Sequence, residues 1–247
     1  MPRFFVRQER VGDSSISIIG EDAHHIARSL RMAVGEQITV CNMQGNEYQC
    51  AISSFDEDRE VVAEILSVKH SENEPKCYIK LFQALPKGDK LETVIQKAVE
   101  CGVSEIIPFQ SERCVVRIKS DAEDRKTERR QRIAAEAAKQ CGRSVIPEIK
   151  QSVDIEEAMK MAKDCELCLF CYEGDGTRPL GEILRGYGSE IPRSIAIFIG
   201  SEGGFSVNEA QRAAEAGMIM TDLGKRILRT ETASGFVLAC IICATEL

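Results

Sequence analysis

From residue 77 onward, short apolar segments with strand character alternate with segments of helical period, and this alternation constrains the fold more than any other feature. The predicted strands are residues 77–81, 105–107, 166–171, 193–199 and 218–221. The predicted helices are residues 89–101, 121–140, 154–163, 206–216 and 231–245. Strands that alternate with helices build a mostly parallel sheet covered on both faces. The sequence therefore predicts an α/β fold for this part of the chain.

Two of these helices carry terminal signals. The helix over 89–101 places five apolar residues on one face and is followed by Gly102, a typical residue after a helix end. Those five residues are Leu91, Val94, Ile95, Ala98 and Val99. The helix over 206–216 begins with Ser206 and has Glu209 three positions later, which is the pattern of a capping box.

The first seventy residues follow a different pattern, that of a small and mostly β unit. The predicted strands are residues 15–19, 37–41, 47–55 and 60–68. One helix is predicted over 21–32, with Ile26, Leu30 and Ala33 on one face. Residues 70–76 are polar and contain a proline, so we place a domain boundary there. The predicted domains are residues 1–70 and 77–247.

Charge and composition exclude several classes of protein. With 32 Lys and Arg against 39 Asp and Glu, the net charge is −7, which excludes a uniformly basic coat. Residues 113–143 nevertheless carry ten Lys and Arg but five Asp and Glu, so a local basic surface remains. The longest apolar run, residues 236–244, is too short to span a membrane, which takes about 20 residues. The first residues do not resemble a secretory signal, and the cysteine count of 11 is odd, so we expect reduced thiols in the cytoplasm.

The cysteines and histidines raise the question of a metal site. Cys165, Cys168 and Cys171 have ligand-like spacing, but side chains three apart on a strand point to opposite faces. A second pair, Cys240 and Cys243, lies in an apolar predicted helix. His24 and His25 have no third ligand at suitable spacing. We therefore favour buried structural cysteines and expect neither a metal nor a cysteine nucleophile.

Two glycine-containing segments are the candidates for a ligand site. Residues 199–205 (Ile-Gly-Ser-Glu-Gly-Gly-Phe) follow a buried strand and precede a capped helix, where open α/β sheets bind ligands. Their spacing fits neither a dinucleotide-binding motif nor a P-loop, and a plain tight turn explains it equally well. Residues 223–234 place Lys225, Arg226 and Arg229 ahead of a helix start, although a solvated loop would also fit. Two such loops after successive strands favour a ligand site.

At these loops the sequence resembles the SPOUT methyltransferases, and within them the ribosomal RNA small subunit methyltransferase E family. The resemblance extends over nearly the whole chain. It includes residues 3–6, 24–32, 87–92, 97–102, 136–143, 199–205 and 223–233. The chain departs from the family at Ser201, where a proline is usual.

The resemblance implies a trefoil-knotted α/β domain that binds S-adenosylmethionine, preceded by a small β-barrel, PUA-like, RNA-binding domain. The implied reaction is methylation of N3 of a uridine in 16S rRNA of the small ribosomal subunit, by a cytoplasmic homodimer with its active sites at the subunit interface. The implied cofactor-binding residues are Leu169, Gly174, Ile199, Gly200, Ser201, Gly203, Gly204, Leu223, Gly224, Ile227, Leu228, Thr232 and Ala233.

The chemistry of this reaction assigns the remaining residues. N3 of uracil becomes a nucleophile when its proton leaves, so the site needs a proton acceptor or donors that stabilise the resulting charge. Arg229 is the candidate for charge stabilisation and Glu202 the candidate acceptor. The expected RNA-binding residues are Arg3, Arg7, Arg28, Arg31, Lys87, Lys90, Arg113 and Arg143. Alternatives are a tRNA ribose 2′-O-methyltransferase, a catalytically silent RNA-binding protein and, less favoured, a nucleotide-dependent oxidoreductase.

Overall fold

A computed structural model describes residues 1–56, 60–118, 123–188, 190 and 192–247. The chain divides into two compact units. The N-terminal unit comprises Met1–Glu74 and Ala138–Ile146, and the C-terminal unit comprises Pro75–Ala137 and Pro147–Leu247. Residues 57–59, between two predicted strands, and the predicted start of a helix at 121 lie outside the described residues.

The N-terminal unit is built on a five-stranded sheet with the order β1-β3-β4-β5-β2. Its strands are β1 (Arg3–Phe5), β2 (Ser15–Ile19), β3 (Gln37–Cys41), β4 (Asn46–Asp56) and β5 (Glu60–His70). The pair β1–β3 is parallel and the other pairs are antiparallel. Alternate apolar side chains such as Ile16, Ile18 and Ile38 are fully buried in its core. Strands β2 to β5 confirm the predicted ones, whereas β1 was not predicted.

The predicted helix over 21–32 is shorter and less regular than expected. It begins as α1 (Glu21–His24) and continues as one π-helical turn over His25–Ser29. Ile26 is buried as predicted, but Leu30 and Ala33 are exposed. Arg31 follows with a φ of +51°, a left-handed conformation that is rare for arginine and cannot continue a helix.

Two ion pairs bind residues of the N-terminal unit that are distant in sequence. Arg3 lies over Glu47 and donates to both carboxylate oxygens, at 3.0 and 3.3 Å. It also donates to the carbonyl oxygen of Arg143 at 3.3 Å. The Arg143 side chain in turn donates to Glu74 at 2.6 Å, and only 6% of it is exposed. These contacts explain why residues 138–146 belong to this unit, which the sequence did not predict.

The C-terminal unit contains an eight-stranded sheet in which every pair is parallel, which confirms the mostly parallel sheet that was predicted. Its order is β11-β13-β10-β12-β6-β7-β8, and β9 pairs with β7. The strands are β6 (Tyr78–Ala84), β7 (Glu105–Gln110), β8 (Glu148–Ile149), β9 (Val153–Asp154), β10 (Leu167–Cys171), β11 (Arg178–Pro179), β12 (Ser194–Ile199) and β13 (Ile219–Asp222). Because their carboxyl ends share one edge, the loops after β10, β12 and β13 lie side by side.

Six helices accompany this sheet in the described part of the chain. They are α2 (Lys90–Glu100), α3 (Glu123–Cys141), α4 (Ile155–Met161), α5 (Leu180–Tyr187), α6 (Val207–Glu215) and α7 (Thr230–Glu246). The predicted inward face of α2 is buried, and Gly102 after it has a φ of +83°. Ser206 and Glu209 form the predicted capping box of α6. Helix α5 was not predicted. None of the helices in the described residues is long and apolar enough to cross a membrane.

A cluster of phenylalanine rings supports the strand ends in the C-terminal unit. Phe198 of β12 stacks on Phe82 of β6 with ring centroids 4.4 Å apart. Phe205, which ends the first glycine-containing segment, packs against Phe170 at 4.1 Å. Since an aromatic ring buries a large apolar area, Phe205 fixes the end of that segment to the core.

Candidate functional site

A cavity of about 1050 Å³ lies at the carboxyl ends of β10, β12 and β13. Three loops surround it: residues 171–179 after β10, 199–205 after β12 and 222–229 after β13, called here the tyrosine loop, the glycine loop and the cationic loop. The cavity is also lined by Lys90, Arg113 and, at the start of α7, Thr230 and Ala233. Its position and size are those of a small-molecule site.

The glycine loop folds back on itself. Gly204 donates its N–H to the carbonyl oxygen of Ser201 at 2.9 Å, which closes a tight turn. A Cβ on Gly200 would lie 3.1 Å from Cα of Gly204, so only glycine fits there without movement of the backbone. Gly204 itself has a φ of +63°, a conformation that favours glycine. The two glycines are therefore required by the turn itself, before any ligand is considered.

Glu202 in this loop is engaged by residues at the start of α2. Its carboxylate accepts a hydrogen bond from Lys90 Nζ at 2.7 Å and from the backbone N–H of Lys87 at 3.2 Å. Burial acts to raise the pKa of the Glu202 carboxyl, but the hydrogen bonds from Lys90 and from backbone N–H groups outweigh it and lower the pKa. Lys90 also lies 4.0 Å from Glu231. A paired carboxylate of lowered pKa is a weak proton acceptor, which argues against the role predicted for Glu202.

Gly203 is in contact with a different neighbour, Arg113. Arg113 donates from its guanidinium to the carbonyl oxygen of Gly203 at 3.1 Å. A Cβ added to Gly203 would lie 3.0 Å from Cβ of Arg113. A larger residue at this position would therefore displace Arg113 first, so Gly203 makes room for protein and not only for a cofactor.

The cationic loop has few contacts by comparison. Asp222 accepts the N–H of Gly224 at 3.0 Å, and Gly224 has a φ of +98°. Lys225, Arg226 and Arg229 are exposed, and their side chains make no hydrogen bond or ion pair with the residues that the structure describes. Arg229 is the N-cap residue of α7, and it contributes its carbonyl oxygen and not its side chain to the helix start. Arg229 lines the cavity, and no residue of the described chain occupies its guanidinium.

The tyrosine loop supplies an aromatic wall. A Cβ on Gly174 would lie 2.2 Å from Cε1 of Tyr172, so Gly174 makes room for the tyrosine ring. Cys171 lies beside it, and burial raises the pKa of its thiol to about 12. Cys171 is therefore a neutral thiol and is not activated as a nucleophile.

Most of the predicted cofactor residues come together in this cavity. Those that line it are Gly174, Ile199, Gly200, Ser201, Gly203, Gly204, Leu223, Gly224, Ile227, Leu228 and Ala233, together with the predicted catalytic residues Arg229 and Glu202. Leu169 does not line it, because it lies inside β10 and is fully buried in the core. Thr232, an exposed residue in the first turn of α7, is not among the lining residues either.

Some lining residues were not singled out from the sequence. They are Thr177, Pro179, Phe205, Thr221, Asp222 and Thr230. For Thr221 and Asp222 a signal was present, since they end a predicted strand beside the predicted cationic loop. For Thr177 and Pro179 there was none, because β11 has only two residues.

The predicted RNA-binding residues divide into three groups. Arg3 and Arg143 are structural, because their ion pairs with Glu47 and Glu74 occupy them inside the N-terminal unit. Lys90 and Arg113 line the cavity. The side chains of Arg7, Arg28, Arg31 and Lys87 are exposed, as a role in RNA binding requires.

No metal site is evident in the part of the chain that the structure describes. No group of three or more His, Cys, Asp or Glu there could hold a metal ion. All eleven cysteines are free, and burial raises the pKa of Cys168 to about 11.

Comparison with known proteins adds the family. An RNA methyltransferase domain family matches residues 72–242, and an RNA methyltransferase PUA domain family matches residues 18–66. Ribosomal RNA small subunit methyltransferase E of Bacillus subtilis is 34% identical over 252 residues, covering 100% of this chain and 98% of that protein. The chain belongs to this family. The protein of the same name from Mesomycoplasma hyopneumoniae is 37% identical over 180 residues, covering 72% of this chain and 76% of that protein.

Solved structures agree with this family. A methyltransferase from Legionella pneumophila in complex with S-adenosylmethionine has a TM-score of 0.85 and 32% identity, covering 98% of this chain and 97% of that one. A ribosomal RNA small subunit methyltransferase E from Neisseria gonorrhoeae, also bound to S-adenosylmethionine, has a TM-score of 0.84 and 30% identity with the same coverage. The chain thus shares the α/β fold of its family and carries a PUA-like N-terminal domain.

Proposed function

We propose that this protein transfers the methyl group of S-adenosylmethionine to N3 of a specific uridine in 16S rRNA of the small ribosomal subunit. The observation that carries the proposal is the unpaired guanidinium of Arg229 at a cavity walled by the glycine loop. The proposal includes the finer features that the resemblance implies: a knotted domain over 77–247, a barrel over 1–70, and a cytoplasmic homodimer with the active sites at its interface.

The residues of the cavity fit the cofactor. Its walls combine apolar side chains, among them Ile199, Leu223 and Leu228, with the backbone of the glycine loop. Ser201 Oγ is buried and has no hydrogen-bond partner in the described chain, so it is available to a ligand. An adenine ring, an alkyl sulfonium and the polar groups of an amino acid need this mixture of surfaces. The cofactor, when bound, supplies an activated methyl group on a sulfonium.

The chain's own residues then have to make uracil N3 nucleophilic. Loss of its proton to solvent water places negative charge on the ring and on both neighbouring carbonyl oxygens. The Arg229 guanidinium, with several N–H donors in one plane, stabilises that charge where it develops. Glu202 serves this arrangement by holding Lys90 at the cavity wall. Since Cys171 is a neutral thiol, the site favours attack by nitrogen over the cysteine-dependent methylation of a ring carbon.

RNA is gripped by exposed cations of both units. Arg7, Arg28 and Arg31 belong to the N-terminal unit, and Arg31 lies two residues after the π-helical turn, an irregularity that is frequent at functional sites. A base within structured RNA has to be turned outward to reach a cavity, which takes a separate grip on the backbone.

The decisive experiment measures the modified nucleotide. Small subunits from a strain that lacks the gene are incubated with the purified protein and S-adenosylmethionine, and the 16S rRNA is analysed by mass spectrometry. We expect one 3-methyluridine that is absent without the protein. A ribose methyl group, methylation of tRNA, or no methylation despite RNA binding would each contradict the proposal and support one of the alternatives.

Deletion of residues 1–70 is a poor test of whether the N-terminal unit supplies RNA binding while the C-terminal unit binds the cofactor. It would remove Arg3 and Asp22, which contact Arg143 and Lys139 in the 138–146 segment. Paired substitution of Arg28 and Arg31 by alanine leaves those contacts in place. We expect it to weaken RNA binding while the affinity for the cofactor, measured by calorimetry, stays unchanged.

A further inference from the structure

A series of buried hydrogen bonds, called here the relay, joins β6, the glycine loop and the start of α7. The hydroxyl of Thr230 donates to the carbonyl oxygen of Gly200 at 2.6 Å. The side-chain amide of Gln83 donates from Nε2 to Thr230 Oγ1 at 2.9 Å and to the carbonyl oxygen of Ala84 at 3.0 Å. Gln83 is fully buried and Thr230 is 5% exposed, so bulk water has little access to these bonds.

The types of the groups involved determine which one donates in each bond of the relay. A carbonyl oxygen only accepts, so the single hydroxyl proton of Thr230 is committed to Gly200. The hydroxyl oxygen must then accept, and only the NH₂ group of Gln83 can donate to it. This sets the orientation of the Gln83 amide, and Gln83 Oε1 is left buried with no partner among the described residues. An unpaired buried acceptor is unfavourable. The arrangement thus satisfies the NH₂ group of Gln83 and leaves its Oε1 unpaired.

We propose that Thr230 is a positioning residue for the cofactor loop and that Gln83 orients its hydroxyl. The proposal rests on the proposed function, because it assigns the purpose of the relay to binding of S-adenosylmethionine. Thr230 directly follows the cationic loop, and Gly200 is the second residue of the glycine loop. The bond between them therefore sets the distance between two walls of the cavity, and the bond from Gln83 anchors both walls to β6.

The local geometry of Gly200 explains why its carbonyl needs a fixed direction. Gly200 packs closely against Gly204, and the turn between them carries Ser201, Glu202 and Gly203 into the cavity wall. Rotation of the peptide after Gly200 would move all three. A hydrogen bond to its carbonyl oxygen holds that peptide before the ligand arrives, so the ligand does not have to order the loop.

The test removes the hydroxyl without changing the volume. Thr230→Val is expected to raise the dissociation constant for S-adenosylmethionine about tenfold, the scale of one lost hydrogen bond that leaves buried partners unpaired. The turnover at saturating cofactor should change less than about threefold, so that the KM for the cofactor carries the effect. Thr230→Ser keeps the hydroxyl and should restore most of the affinity.

A matched control lies on the same helix. Thr245 is also buried, and its hydroxyl contacts the carbonyl oxygen of Ile242 at 3.5 Å, but it does not line the cavity. Thr245→Val should leave the cofactor affinity unchanged. If Thr230→Val binds the cofactor as the wild type does and shows only a lower melting temperature, the residue is merely structural and the proposal is wrong.

A second measurement tests, without any ligand, whether the Thr230 hydroxyl holds the glycine loop. Amide hydrogen exchange over residues 199–205 should be faster in Thr230→Val than in the wild type and close to wild type in Thr230→Ser. Equal exchange in all three proteins would overturn the relay. If the wild type itself fails to bind S-adenosylmethionine, the proposed function is wrong, while the exchange comparison still decides whether Thr230 holds the loop.

A double-mutant cycle tests the part played by Gln83. Gln83→Leu should weaken cofactor binding less than Thr230→Val, because the bond to Gly200 survives. The double variant should be about as weak as Thr230→Val alone, since Gln83 acts through the hydroxyl that is already missing. Additive losses would show that Gln83 acts on the site by another route.

Discussion

The glycine loop and the cationic loop line the same cavity, but the protein treats them in opposite ways. The glycine loop receives hydrogen bonds from Lys90, Arg113 and Thr230, and Phe205 anchors its end in the core. The cationic loop has one short turn at Asp222, and its cationic side chains face solvent without partners in the described chain.

This difference assigns the loops different tasks. A loop held by many hydrogen bonds loses little conformational entropy when it binds a small ligand, so it suits a cofactor of constant shape. Unpaired cations keep their full charge available, so they suit a polyanion and a developing negative charge. We infer that the glycine loop binds the cofactor. The cationic loop stabilises negative charge during the reaction and contacts the RNA. The following variants test this division, from the largest expected effect to the smallest.

Arg229→Ala should have the largest effect. If the guanidinium stabilises charge on the uracil, turnover falls about a hundredfold or more, the scale for loss of one preorganised donor. Arg229→Lys keeps the charge but loses the planar fork, so it should rescue only partly. Both are measured on small subunits at saturating cofactor. Turnover near that of the wild type in Arg229→Ala would move the catalytic role elsewhere.

Gly204→Ala compared with Gly224→Ala separates the loops by one matched change. Both glycines have positive φ, and neither has an atom within 4 Å of an added Cβ, so the cost is backbone strain alone. In the glycine loop this strain should raise the dissociation constant for S-adenosylmethionine about tenfold, since left-handed backbone costs other residues about 1–2 kcal/mol. Calorimetry should show a smaller change for Gly224→Ala. The reverse order would contradict the division.

Gly203→Val is a less direct test of cofactor contact, because Cβ and the carbonyl oxygen of Arg113 lie where the new side chain would go. A weak Gly203→Val variant would therefore report on Arg113 as much as on the cofactor.

The sequence predicted the elements whose signals are local. Helix α2 shows its inward face in the spacing of Leu91 to Val99, α6 shows its cap in Ser206 and Glu209, and most strands follow from runs of apolar residues. The cavity followed from two glycine segments at neighbouring strand ends. Each of these signals acts over a few residues, which is why it can be read without the fold.

The sequence could not predict features that depend on distant contacts. Arg3 and Arg143 look like any exposed cations until the fold brings Glu47 and Glu74 beside them. Gln83 and Thr230 are 147 positions apart, and no pattern in either segment indicates that they meet. Leu169 fits the cavity by position in sequence, but the pleat of β10 turns it into the core. Contacts that form only in the folded protein decide such roles.

The double variant Lys225→Ala, Arg226→Ala tests whether the cationic loop contacts RNA. If both cations contact phosphate, the double variant should bind RNA about fivefold more weakly at physiological salt, and its affinity should depend less steeply on salt concentration. The affinity for the cofactor should not change. Lys163→Ala, at an exposed site outside the cavity, is the control. An unchanged salt dependence would limit the cationic loop to the chemical step.

Glu202→Gln gives the smallest effect and tests the glycine loop through its ion pair. Because the folded protein holds the pKa of Glu202 below the ordinary value of 4.5, the pair with Lys90 stabilises the protein above that pH. The stabilisation is lost as the pH falls through the lowered pKa. The pair is partly exposed, so we expect less than about 1 kcal/mol. Urea unfolding should show the wild type more stable than Glu202→Gln near pH 7, with the difference vanishing well below pH 4.5. Lys90→Met, which removes the other half of the pair, should follow the same course. A difference that persisted in acid would show that Glu202 holds the loop by packing and not by charge.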